Sequence, residues 1–274
     1  MKPLTPDRLA IHTQTTRPWT LAEACAAYAA AGIGGVCPWV EHVEPVGVRQ
    51  AARIIADAGL RVPSYVRGGF FVHPDADGRG RAIDRTRSLL DDAAVLSAEM
   101  LVIVPGACPG VGLDDARTMV AEGLAAVAQH AAEVGVKLAL EPLHPMYAAD
   151  RSCINTVASA RAACDRVGHP ALGVAVDVYH VWWEPGLAEQ IASLGREGRL
   201  LALHICDFKA ETTHLLLDRG LMGEGVIPIR EIRGAVEAAG FCGLAEVEIF
   251  SERWWAVEQS VFLREIVQAA ATSA

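Results

Sequence analysis

The sequence predicts a single α/β domain, a (β/α)8 TIM barrel. Two observations carry this. Short apolar runs alternate with alanine-rich amphipathic stretches along the whole chain, eight of each. Near-continuous apolar strands fit a parallel sheet buried on both faces. The length, 274 residues, also matches the roughly 250 typical of such barrels.

The elements follow in order. A strand near 8–13 leads to Thr20, a predicted N-terminal cap, and a helix near 20–31 that stops at Gly32. A strand near 33–40 is followed by a helix near 46–58 and then Gly59. The third pair is 61–67 and 80–97. The fourth is 99–106 and 114–134, with Asp114 as the predicted cap and Gly135 at the helix end. The remaining pairs are 136–143 with 155–167, 172–179 with 186–197, 200–207 with 228–239, and 244–250 with 255–270; Gly240 closes the seventh helix. No composition shift or Ser/Pro linker divides the chain, so residues 1–274 read as one domain. Two longer connections, 67–80 and 208–227, follow strands, where a barrel builds its active face.

Composition narrows the function classes. Hydrophobic residues make up 52%, which supports a large core rather than disorder. A net charge of −9 argues against nucleic-acid or anionic-membrane partners. The first residues lack the apolar stretch of a signal peptide, and no apolar run approaches membrane-spanning length. The seven cysteines are scattered without a CxxC pair, so neither a zinc knuckle nor a disulfide framework is indicated. The expectation is a cytoplasmic protein with reduced thiols.

Four apolar runs end in a potential metal ligand: LALEP with Glu141, GVAVDVYH with Asp177 and His180, LLALHICD with His204, and AEVEIF with Glu246 and Glu248. Carboxylates and imidazoles are costly beside buried apolar runs unless compensated. Strands five to eight would each bring one ligand, Glu141, Asp177, His204 and Glu248, to a common mouth. Three carboxylates and one imidazole suit one divalent ion, Mn2+, Co2+ or Mg2+, and carboxylate–histidine sites also take Zn2+. Glu246 lies two residues before Glu248 on the same strand face and reads as a buried hydrogen-bonding partner. His180 can point at a substrate oxygen. Trp39, Trp182, Trp183, Trp254 and Trp255 cluster near strand ends, where aromatic faces suit a sugar ring or, for the last two, packing. His12, Glu41, His73 and Lys209 lie in or after other strands and are further candidates for lining the pocket, His12 first. The run GACPGVG lacks the pattern of a phosphate loop, and no dense Lys/Arg cluster marks a phosphate clamp. An unphosphorylated sugar or polyol is therefore expected.

LALEP, DVYH, LHICD, GEGVIPI and EVEIF, in this order, resemble the sugar phosphate isomerase/epimerase family of xylose isomerase-like TIM barrels. The resemblance implies that Glu141, Asp177, His204 and Glu248 bind one divalent metal and that His180 contacts substrate. It also implies a substrate-binding role for Arg219, ahead of the turn at Gly223 and Gly225. The implied activity is metal-dependent isomerisation or epimerisation of a keto sugar through an enediolate, with Glu141 and Glu248 as acid/base pair. A lyase or dehydratase acting on an inosose or 3-keto-glycoside is the alternative, with Trp182 and Trp183 suiting a bulky leaving group. An abasic-site endonuclease is a distant one. Family relatives pair as dimers or tetramers, so a homodimer or homotetramer is also expected.

Overall fold

Alternation along each strand decides what the barrel encloses. The computed structural model describes residues 2–274. Its strands are β1 (Leu9–His12), β2 (Gly35–Cys37), β3 (Ser64–Gly69), β4 (Met100–Val104), β5 (Lys137–Leu140), β6 (Leu172–Asp177), β7 (Leu200–Ile205) and β8 (Ala245–Val247). Leu138, Leu140, Val174, Val176, Leu203, Ile205 and Val247 join the large core between sheet and helices. Their neighbours Ala139, Ala175 and Ala202 pack with Met100 in a separate small cluster inside the barrel. Side chains two apart share a face, so Glu141, Asp177, His204 and Glu246 continue the inward rows of those alanines and of β8. Small residues below leave space for polar ones above.

All strand pairings are parallel, in the order β2-β1-β8-β7-β6-β5-β4-β3. Isolated parallel bridges, Gly35 to Arg61 and Trp39 to Val66, join the β2 and β3 ends and nearly close the barrel. The main helices are α1 (Leu21–Ala30), α2 (Val48–Asp57), α3 (Ala76–Val95), α4 (Leu113–Val134), α5 (Val157–Val167), α6 (Leu187–Arg196), α7 (Ile229–Ala238) and α8 (Gln259–Ser273). This is the single (β/α)8 TIM barrel that the sequence predicts.

Several boundaries differ from expectation for local reasons. Thr20 caps α1 in a capping box with Glu23, as expected. Asp114 does not cap α4: Gly112 occupies the cap, and Asp114 sits in the first turn, where its charge still favours the helix N-terminus. Helix α3 starts at Ala76, not near 80, because the Asp75 carboxylate accepts from the Gly78 amide at 2.6 Å. Strand β3 runs to Gly69, two residues past the predicted end. The last helix is broken into a turn at Glu252–Trp255 and α8. Gly32, Gly59, Gly135 and Gly240 all adopt positive φ just past helix ends, as predicted.

The connection 208–227 contains no helix or strand but is firmly tied. The Asp207 carboxylate accepts from the amides of Phe208, Gly223, Gly225 and Ile227 at 2.9–3.0 Å. A Cβ at Gly225 would lie 2.2 Å from the Phe208 carbonyl oxygen, so only glycine fits there. Short bridges pair Asp207 with Gly220 and Asp218 with Ser251. Tyr147 and Tyr179 hydroxyls both donate to the Leu215 carbonyl, at 2.6 and 2.7 Å. Asp207→Ala should strand these amides and lower stability by about 3 kcal/mol. A denaturant midpoint corresponding to less than about 1 kcal/mol of loss would contradict this account of the loop.

Candidate metal centre and active site

Parallel register brings the four predicted ligands together. His204 lies level with Asp177 on β6 and with Glu246 on β8. Glu248 is two residues further along the Glu246 row, and its amide donates to Ile205 O at 3.2 Å. Glu141 follows β5 directly, its amide on Ile103 O at 3.0 Å. Ligand atoms of Glu141, Asp177, His204 and Glu248 all lie within 4.8 Å of one another. All four residues are buried.

The donor set fits a divalent cation on two observations. His204 Nδ1 and Glu141 Oε1 stand 2.9 Å apart, yet neither makes a hydrogen bond. Both atoms are thus available as ligand atoms. A separation of about 3 Å is also that of neighbouring oxygen or nitrogen ligands around an ion bound at about 2.1 Å in octahedral geometry. Hard oxygen donors with one imidazole match Mn2+, Mg2+, Co2+ or Zn2+. Nδ1 is the candidate ligand atom of His204, since its Nε2 lies 3.4 Å from Glu246 Oε2. That carboxylate oxygen also receives Ser64 Oγ (2.5 Å) and Cys37 Sγ (3.1 Å) and lies 3.2 Å from His12 Nε2. Glu246 thus orients both imidazoles from below, as such supporting carboxylates do at metal sites.

The electrostatics follow from burial. Burial pushes the Asp177 carboxyl up to about 7, with Glu248 and Glu141 adding to the rise and Arg219 opposing it. Burial would raise Glu248 too, but Arg219 and His12 outweigh it and hold this carboxyl well below the usual range. One Arg219 nitrogen, Nη1, contacts Asp177 Oδ2 (3.1 Å), Glu248 Oε2 (2.8 Å) and the Glu248 carbonyl (3.2 Å). The guanidinium lies between the rings of Tyr179 (4.4 Å) and Phe250 (4.8 Å). Burial and the nearby Arg219 keep His180 far below its ordinary value, so it is neutral. Arg219 Nη2, 3.4 Å from His180 Nε2, can only donate. This contact favours the tautomer with the hydrogen on Nδ1, which is buried and unpartnered, over the one favoured by Asp177 Oδ2 at 3.5 Å from Nε2.

A narrow cavity of about 60 Å³ sits over this centre, lined among others by Glu141, Glu248, His180, Arg219, Tyr147 and Trp39. His12 lies beneath it in the barrel: Trp39 Nε1 donates to its Nδ1 at 3.0 Å. Trp182, by contrast, does not line the cavity; it packs against Phe208. Trp183 turns to His144 and donates to the His180 carbonyl. Trp254 stacks on Phe262, and Trp255 donates to Gln14 O and Thr15 O. Lys209 is engaged by Asp218 at 2.6 Å. Glu41 and His73 border a neighbouring depression. The residues that sequence reasoning missed are Arg67 and Arg151 in the lining. Their position at or after strand ends was the available signal.

Fold and site define a barrel with a candidate metal centre at the carboxyl ends of its strands. A family model described as xylose isomerase-like TIM barrel matches residues 23–266. The chain belongs to that family. A Sinorhizobium meliloti 1021 protein of known structure is 47% identical, with a TM-score of 0.94 over 97% of this chain and 98% of its own. IolI, whose structure holds a zinc atom, is 18% identical with a TM-score of 0.84 over 97% of this chain and 99% of its own. D-psicose 3-epimerase is 16% identical with a TM-score of 0.80 over 97% of each chain. At those identities the last two share the fold. No curated protein matches the chain. No described helix is long and apolar enough to cross a membrane.

Metal binding must displace protons. Burial pushes the Asp177 carboxyl up to about 7, and Glu246 and Glu141 raise His204 against the opposing effect of burial, so both groups favour their protonated forms as pH falls. Apparent Mn2+ affinity, followed by titration between pH 8 and 5, should fall at least about tenfold per pH unit below about 7. A flat profile would contradict the assigned ligand set.

Proposed function

We propose that this protein is a divalent-metal-dependent isomerase or epimerase acting on a keto sugar. One observation carries the reading. Of the four ligand residues, Glu141 and Glu248 also line the cavity, whereas Asp177 and His204 lie below it. Two carboxylates facing a small substrate are what transfer of a proton from and to carbon requires. A bound divalent ion, Mn2+ by preference, supplies polarisation of adjacent carbonyl and hydroxyl oxygens.

The chain's own groups divide the remaining work. Glu248, kept ionised by Arg219 and His12, is suited to remove the proton beside the carbonyl, giving an enediolate. Glu141 returns a proton from the other side. Delivery to the same carbon gives an epimer, and delivery to its neighbour an isomer. Neutral His180 donates through Nδ1 to a substrate oxygen, and Arg219 offsets developing negative charge. The aromatic walls of Trp39 and Phe250, 5.2 Å apart edge to face, exclude water from one side.

The lyase alternative drew on Trp182 and Trp183 as a seat for a leaving group, and both stand outside the cavity lining. The narrow cavity and the net charge of −9 favour a small molecule over a nucleic acid. With Mn2+-loaded protein and a panel of keto sugars in heavy water, the substrate should gain deuterium next to its carbonyl without losing water or an aglycone. Glu248→Gln should lower that exchange by about 10²–10⁴-fold while Mn2+ stays bound. Full exchange in that variant would remove Glu248 from the acid/base role, and loss of water or an aglycone would overturn the isomerase reading.

A further inference from the structure

The cavity holds more positive charge than its own carboxylates use. Arg67, Arg151 and Arg219 all line it, against Glu141 and Glu248 as the carboxylates of the lining. Arg219 is occupied at the floor by Asp177 and Glu248. The other two are not engaged in this way. Arg67 Nη2 is 3.9 Å from Glu41 Oε1, beyond hydrogen-bond reach. Arg151 Nε stands 3.4 Å from Asp150, yet it is buried and makes no hydrogen bond.

Both side chains lie against aromatic rings. The Arg67 guanidinium lies 4.9 Å over Trp39 and 5.5 Å over Phe70, and that of Arg151 lies 5.6 Å over Tyr147. Cation–π contacts of this kind restrain a guanidinium while leaving its N–H groups available to an anionic acceptor. A divalent ion together with Arg219 would offset Glu141, Asp177 and Glu248. Arg67 and Arg151 are paired only loosely, with Glu41 and Asp150, and also face the cavity beside the apolar Val66, Val104 and Leu143.

We propose that the substrate carries a carboxylate, received by Arg67 and Arg151 at the end remote from the reacting carbons. The substrate class is thus a keto-sugar acid rather than a neutral keto sugar. This deepens the isomerase reading and rests on it. A carboxylate is favoured over the bulkier phosphate because the cavity is narrow, about 60 Å³.

The test is calorimetric titration of the full-length, Mn2+-loaded protein with three probes. They are D-fructose, its terminal-carbon acid D-fructuronate, and D-fructose 6-phosphate. D-Fructuronate should bind at least about tenfold tighter than D-fructose at low salt, and the advantage should shrink as salt is added. Arg67→Met and Arg151→Met keep the apolar stem and remove the charge. Each should weaken D-fructuronate binding by about tenfold and leave Mn2+ affinity unchanged. Both residues are partly exposed, so folding is not at stake. Equal affinity for D-fructose and D-fructuronate, undetectable binding of both included, would overturn the proposal. So would an acid preference that survives both substitutions, or tighter binding of the phosphate. Mn2+ titration of the same samples separates the two readings. Failure to bind Mn2+ sinks the metal assignment, whereas intact Mn2+ binding without acid preference sinks the carboxylate proposal alone.

Discussion

Repulsion among three buried carboxylates is the constraint on which the rest of the structure depends. Glu141, Asp177 and Glu248 meet within 4.8 Å in a buried region. Two like charges 4 Å apart repel by about 4 kcal/mol even at an effective dielectric near 20. Such a cluster persists only if cations are supplied. Arg219 provides one positive charge, and the donor geometry leaves a place for a divalent ion. The rise of the Asp177 carboxyl toward about 7 records the same imbalance.

The rest of the chain can be understood as holding that compensation in place. The alanines of β5, β6 and β7 keep the interior narrow below, and Glu246 fixes the imidazoles of His12 and His204 from the floor. Above, Arg219 reaches the carboxylates because the connection between β7 and α7 is anchored at Asp207 and pinned by Tyr147 and Tyr179. The Arg219 amide donates to Phe250 O at 2.9 Å, so the loop is hydrogen-bonded directly beyond β8. A long irregular connection is thereby made rigid where the chemistry needs it.

The barrel and the four side chains that cluster at its mouth were legible in the sequence because both are written locally. Apolar runs mark the strands, and a charged residue at the end of one is conspicuous. Glu246 was legible for the same reason, through its two-residue offset from Glu248. What escaped depends on packing between distant segments. The cap of α4 falls to Gly112, whose backbone is extended and which offers no side-chain cap. Trp182 and Trp183 sit beside His180 in sequence, but the short helix at Val178–Val181 carries them away from the cavity. Arg67 and Arg151 stand far apart in the chain and become a pair only when β3 and the segment after β5 face the same mouth.

The most direct test is anomalous diffraction at the manganese edge from crystals of the Mn2+-loaded protein. A single strong peak coordinated by Glu141, Asp177, Glu248 and Nδ1 of His204 is the predicted result. No peak there, or a peak elsewhere while those side chains stay bonded to Arg219 and Glu246 alone, would contradict the account.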